Sequence, residues 1–113
     1  MRHDDSLLLD MLVAARKAKE FVEGIAYEEF EKSDLHQNAV LKVLEVIGEA
    51  ASRISTSTKD KHPEIQWSQI VGLRNRTVHA YFTIDIELVW NIVKDDVPAL
   101  LTELEGIAPP EAD

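Results

Sequence analysis

At 113 residues, 45% of them hydrophobic and 29% charged, the chain is one domain with room for a real core and too short for two. The absence of cysteine excludes a disulfide scaffold, a thiol nucleophile and a cysteine zinc site, and leaves a reducing cytoplasm as the natural setting. A formal net charge of −9 argues against a protein that grips nucleic acid, DNA above all, over its whole surface.

The charge is unevenly spread. From Arg53 to His79 five basic residues (Arg53, Lys59, Lys61, Arg74 and Arg76) face Asp60 and Glu64, a local balance of +3 that leaves −12 for the remainder. Such a basic island admits one phosphate segment while the acidic body repels long polyanions, unless the charges simply solvate exposed faces. No apolar run reaches the length of a membrane span, and Met1 to Ser6 is too acidic and too quickly amphipathic for a signal peptide.

In chain order, Asp4, Asp5 or Ser6 can cap a first helix that runs to Val22 or Glu23. Its apolar face is Leu8, Met11, Leu12, Ala15, Ala18, Phe21, Val22 and Ile25, and Gly24 stops it. From Ile25 to Ser33, Ala26, Tyr27 and Phe30 alternate with Glu28, Glu29 and Glu31, a connection that tucks two aromatic rings beneath itself. These rings read as a core lid and not as a base-stacking platform, since the carboxylates repel a nucleic acid. Asp34-Leu35-His36-Gln37 has capping-box spacing, and the helix it opens carries Val40, Val43, Leu44, Ile47, Ala50, Ala51 and Ile54 at steps of three and four, ending near Ser55 to Ser57. Gly48 inside it costs about 1 kcal/mol against Ala, which predicts a close helix crossing there. Glu49 beside it is either an exposed glutamate or a residue that holds Arg74 and shapes the site.

Ser55 to Gln66, rich in Ser, Thr and Lys and broken by His62-Pro63, reads as a mobile surface loop. A helix over Trp67 to Tyr81 would align Trp67, Ile70, Val71, Val78 and Tyr81 in one stripe with Arg74 inside it. A guanidinium there costs several kcal/mol unless paired, so Arg74 is either paired internally or exposed at a mouth or subunit interface. His79 follows Asn75 by one turn, and Tyr81 follows Arg74 by about two. Thr83 or Asp85 caps a last helix, Ile84 to Glu105, with Ile86, Val89, Trp90, Val93, Val97, Leu100, Leu101 and Leu104 inward and Pro98 kinking or dividing it. Residues 107–113, with Pro109-Pro110, read as a disordered tail to a domain of residues 1–106. The expected fold is therefore all-α, an up-and-down four-helix bundle. Surplus apolar residues such as Leu7, Leu9 and Val13 favour oligomerisation.

The cluster Arg74, Asn75, His79 and Tyr81 carries the chemistry. Histidine takes and gives protons near neutrality, and arginine offers a fixed fork to a phosphate and to the charge growing on it. An RNA phosphodiester is cleaved by its own 2′-hydroxyl when one group removes that proton, another protonates the leaving oxygen and a cation stabilises the phosphorane. One chain has one histidine in this cluster, so a two-fold dimer that joins two copies of Arg74 and His79 supplies the full set. Asn75 either orients the imidazole or caps local carbonyls, and Tyr81 taken alone fits a core phenol. His3, His36, His62 and His79 contain no His-x3-His pair, and Asp4-Asp5 and Asp95-Asp96 read as caps and surface charges, so neither a metal nor another cofactor is expected.

Arg74, His79 and Tyr81, spaced Arg-x4-His-x-Tyr with Asn75 after the arginine, resemble the signature of the HEPN superfamily and most closely its HepT-like toxins. Asn38-Ala39-Val40, Gly48-Glu49-Ala50-Ala51, Ile70 to Asn75 and Tyr81-Phe82, with Asp85 and Trp90 downstream, are similar to that family as well, over roughly Asp10 to Leu104. The resemblance implies a metal-independent endoribonuclease of a toxin–antitoxin pair, with Arg74 and His79 catalytic, Asn75 and Glu49 supporting, and Arg53 and Arg76 holding RNA. It further implies a homodimer or a higher oligomer of dimers, and an antitoxin partner, a minimal nucleotidyltransferase of the MntA type, that adenylylates Tyr81. The rival expectation is a noncatalytic HEPN module that binds a nucleotide or docks a nucleotidyltransferase.

Overall fold

The computed structural model describes residues 2–109, and they are helical, with a lone antiparallel bridge between Val78 and Ile84 in place of any strand among them. Two long helices, α1 (Arg2–Phe21) and α3 (Asp34–Arg53), pack along each other, and α8 (Val97–Ile107) lies against α1. Their apolar stripes meet in one core, in which Met11, Ala15, Val40, Ile47, Ala51 and Leu104 are wholly buried. α1 stops at Phe21, and Gly24 at φ +79° turns the chain out of it. Leu7, expected in surplus, belongs to this core, and Leu9 packs at its edge. The last helix continues through Ile107, which packs against the core; residues 110–113 of the expected tail are outside the described residues.

The expected aromatic connection is a short helix, α2 (Tyr27–Glu31), and its rings close over the core. Phe30 is fully buried with its ring centroid 5.2 Å from that of Trp90, and Tyr27 meets Trp90 edge-on at 5.8 Å. Two helix starts differ from expectation. Ser33, not Asp34, caps α3 by accepting from the His36 N–H, while Gln37 turns inward and donates to the Phe30 and Glu31 carbonyls. The Gln37 amide is thus spent on tying α2 to α3.

Asp4 is not a cap of α1 either. It lies within the first turn, 2% exposed, and its carboxylate accepts from the Ser55 N–H and from the hydroxyls of Ser55 and Thr58. This contact orders what composition suggested was a mobile loop: Ser55 caps a short helix, α4 (Thr56–Lys61), and Ile65 beyond it is buried.

The helix expected over Trp67 to Tyr81 is in pieces: α5 (Trp67–Val71), a break at Gly72 (φ −84°, ψ 5°), α6 (Leu73–Thr77), and then a turn. Gly48 explains the closeness of α5 to α3, because a Cβ there would stand 3.0 Å from the Ile70 carbonyl oxygen. Asp85, one of the two expected caps, opens α7 (Ile86–Asn91) by accepting from the Leu88 N–H. A π turn over Ile92–Asp96 joins α7 to α8 and carries a Val97 N–H to Ile92 carbonyl bond, just before Pro98, which has no N–H to give. Asn91, Ile92, Asp96 and Val97 all keep helical backbone, so the widened turn accommodates Pro98 within a continuous helix.

Ser55 and Thr58 hold the Asp4 carboxyl at about 2 against an ordinary 3.8. The folded value is depressed, so this contribution is complete above about pH 3.8 and disappears as pH falls through about 2. Asp4→Ala is expected to lower the unfolding free energy by about 2 kcal/mol at pH 7. In urea melts at pH 7 and pH 2 the difference between wild type and variant should shrink at the lower pH; an equal difference at both would show that the carboxylate charge is not what holds α4.

Candidate functional site

In α6 the sequence alternates by side. Leu73 and Thr77 face the core, 5% and 0% exposed, and the Thr77 hydroxyl donates back to the Leu73 carbonyl at 2.7 Å. Arg74 and Asn75 therefore point outward, and both are exposed. Arg74 is not buried in an apolar stripe. Its Nη1 donates to Glu45 Oε1 at 3.2 Å, reaching across to α3 with about half of the side chain open to solvent. A pair so exposed is worth at most about 1 kcal/mol, so an arriving phosphate can displace Glu45.

Arg74 stands at the edge of a cleft of ≈ 450 Å³ between α1, α3 and α5. Arg53 and Lys42 line it with Arg74, facing Asp10, Glu45 and Glu49, above a floor that includes Val46, Gly48 and Ala50. The expected supporting residue Glu49 and the expected RNA-binding residue Arg53 thus share a cleft with Arg74, but the carboxylate that holds the guanidinium is Glu45. Lys42 and Glu45 were missed by sequence reasoning, although they lie two turns and one turn before Glu49 on the α3 surface. Arg76 is elsewhere, in a second cleft of ≈ 210 Å³ with Glu64, Asp96 and Glu103, and is not brought together with Arg53.

After Thr77 the helix ends. Val78 is extended (φ −122°, ψ 124°), the His79 N–H donates to the Thr83 carbonyl, and the Asp85 N–H donates to the Thr77 carbonyl, each at 2.8 Å. Residues 80–82 form a single 3₁₀ turn at the tip of this closed loop. His79 consequently does not sit one helical turn above Asn75. Its Nε2 meets Asp85 Oδ2 at 3.2 Å, while Asp85 Oδ1 accepts from the Leu88 N–H, so the imidazole is oriented by Asp85 and not by Asn75. That hydrogen bond from His79, followed by the one from Leu88, draws the Asp85 carboxyl below its usual range. Just over half of the His79 side chain remains exposed.

Tyr81 is no core phenol. It is 98% exposed and Phe82 beside it 79%, both in left-handed backbone at φ 59° and φ 61°. Two aromatic residues in this region store strain of order 1–3 kcal/mol each, held by the loop that closes beneath them.

A model of the HepT-like ribonuclease family matches residues 11–107. The chain belongs to the HepT-like ribonuclease family. Among relatives, a candidate RNase of Methanocaldococcus jannaschii is 42% identical over 88% of this chain and 92% of its own length. A Thermococcus cleftensis protein named "Probable ribonuclease HepT" is 36% identical over 94% of this chain and 96% of its own. A second candidate RNase of M. jannaschii is 34% identical over 90% and 84%. No solved structure matches the chain. No helix among the described residues of this HepT-like chain is long and apolar enough to cross a membrane.

Because the Tyr81 ring touches nothing that a core would supply, Tyr81→Gly is expected to leave the melting temperature unchanged or to raise stability by about 1 kcal/mol through relief of left-handed strain. A loss of about 3 kcal/mol or more, the usual cost of deleting a packed aromatic ring, would show that the ring is buried against a partner in solution.

Proposed function

We propose that this HepT-like protein is a metal-independent endoribonuclease and the toxin of a toxin–antitoxin pair, working as a four-helix bundle that dimerises around Arg74 and His79. The observation that carries the reading is the pairing of an exposed imidazole with an aspartate, together with a half-exposed arginine, five residues earlier in the chain, whose partner among the described residues is a displaceable surface carboxylate. The reaction needs no other group. One imidazole takes the proton from a 2′-hydroxyl as its oxygen attacks phosphorus, a second protonates the departing 5′-oxygen, and Arg74 guanidiniums hold the charge of the phosphorane. The products are a 2′,3′-cyclic phosphate and a 5′-hydroxyl end.

Within one protomer His79 and Arg74 are each held by a separate carboxylate, on α7 and α3, and one imidazole cannot serve as both base and acid at once. A homodimer, or a higher oligomer of such dimers, meets the requirement by lining one cleft with two copies of each. Arg53 then extends the phosphate-binding surface beside Arg74, with Glu49 and Asn75 shaping it, whereas Arg76 serves a different face.

The proposal extends to control. Tyr81 stands at the tip of a protruding turn beside His79, where a nucleotidyltransferase can reach its hydroxyl, and adenylylation there adds bulk and negative charge where RNA phosphate must enter. The setting is cytoplasmic, with RNA and the antitoxin enzyme as partners.

RNA cleavage in the presence of a chelator is expected from the wild type and should fall by about 10²–10⁴-fold in Arg74→Ala and His79→Ala. Loss of cleavage on chelation, with both variants as active as wild type, would favour instead the noncatalytic module that docks a nucleotidyltransferase. Mixed dimers with one His79→Ala subunit should lose activity to a similar degree, and undiminished activity per dimer would refute the shared site.

A further inference from the structure

We infer that Asp85 is the positioning residue of this site, and that it fixes His79 as the Nε2–H tautomer so that Nδ1 is the nitrogen that exchanges protons with the substrate. This rests on the ribonuclease reading for its chemistry, but the tautomer is a property of the chain alone.

The geometry divides the Asp85 carboxylate between two donors. Oδ1 accepts from the Leu88 N–H at 3.2 Å and so caps α7, while Oδ2 faces His79 Nε2 at 3.2 Å. An ionised carboxylate has only lone pairs to offer, so the ring nitrogen it meets must be the one that carries hydrogen. The Asp85 carboxyl, drawn below the usual carboxylate range by His79 and Leu88, is ionised near neutral pH. Neutral His79 then has its lone pair on Nδ1, and the ring in its charged form has an Nδ1–H to give. Among the described residues no hydrogen bond engages Nδ1, which leaves it to the substrate.

The backbone makes this pairing rigid. Asp85 is at one end of the closed loop and His79 near the other, with the Asp85 N–H on the Thr77 carbonyl, the His79 N–H on the Thr83 carbonyl, and the Val78–Ile84 bridge between. Neither side chain can move along the chain relative to the other without opening that loop. A cap alone would use one oxygen of Asp85; the second oxygen has a different task.

Asparagine at this position makes a sharp test, because it is also a good cap. If its single oxygen stays on the Leu88 N–H, its NH₂ faces His79 Nε2 and donates, which forces the ring into the Nδ1–H tautomer and removes the free lone pair. Nitrogen-15 NMR of the full chain at a pH where His79 is neutral should give a protonated Nε2 and a bare Nδ1 in wild type, the reverse in Asp85→Asn, and a mixture in Asp85→Ala. On an RNA substrate Asp85→Asn should lower kcat by about 10²-fold with KM within about 2-fold and an unchanged melting temperature. A wild-type ring already protonated on Nδ1, or a tautomer that ignores both substitutions, would overturn the inference. Should the wild type cleave no RNA, the ribonuclease reading fails, while the NMR result still decides what Asp85 does to the ring.

Discussion

In a continuing helix the Thr77 carbonyl would accept from the Tyr81 N–H, four residues on. It accepts from the Asp85 N–H instead, at 2.8 Å, and the site follows from that exchange. With Thr77 spoken for, Val78 goes extended, His79 leaves the helical face, and Tyr81 and Phe82 are carried out on a turn. The same bond brings Asp85 to the start of α7, where its side chain reaches both Leu88 and His79. One backbone hydrogen bond thus sets the exposure of the tyrosine, the partner of the histidine and the first turn of the next helix.

How far this was legible depends on the range of the interactions involved. The stripes of α1 and α3 repeat over 20 residues each, so their existence, their buried faces and the stop at Gly24 follow from local pattern. Gly48 predicted a close crossing for the right reason. The Trp67 to Tyr81 segment misled because its apolar spacing fits a helix as far as Thr77 and then fits one only by coincidence. The signal missed was a pair of β-branched dipeptides, Thr77-Val78 and Thr83-Ile84, flanking four residues, a pattern suited to a short bridged loop. Asp4 was misassigned for a different reason: its partners, Ser55 and Thr58, lie more than fifty residues away, and a capping rule reads only its neighbours. The motif residues themselves were found, but their mutual arrangement was not, since a spacing of five residues has one meaning on a helix and another across a helix end.

The charge of the molecule also reads differently in three dimensions. The basic island inferred between Arg53 and His79 is split, with Arg53 and Arg74 on one cleft and Arg76 on another, each cation facing carboxylates. The first cleft gains Lys42 from α3, outside the island, so it carries three cations among Asp10, Glu45 and Glu49. Such mixed charge gives little long-range attraction for nucleic acid at physiological salt, where fields fade within about 8 Å. It suits recognition of one phosphate at short range, by exchange of a surface ion pair for a charge-assisted contact to the substrate. An acidic body and an RNA substrate are compatible on those terms.

The turn at Ala80–Phe82 adds a constraint that bears on both activity and control. Left-handed backbone at two consecutive aromatic residues is maintained by the closed loop beneath, whose two backbone hydrogen bonds, Asp85 N–H to Thr77 and His79 N–H to Thr83, make the Val78–Ile84 bridge, and that same closure aligns His79 with Asp85. Whatever engages Tyr81 therefore acts on a segment mechanically joined to the imidazole, two residues along the chain from it. Under the proposed control, a group attached to the tyrosine would obstruct the approach of a phosphate by its bulk and charge, and any distortion it imposed on the turn would be passed to the hydrogen bond between His79 and Asp85. A tyrosine on a separate flexible loop would offer only the first of these effects. The cost of holding Tyr81 in strained, exposed backbone is thus balanced by coupling the most accessible side chain of the site to its most orientation-sensitive one.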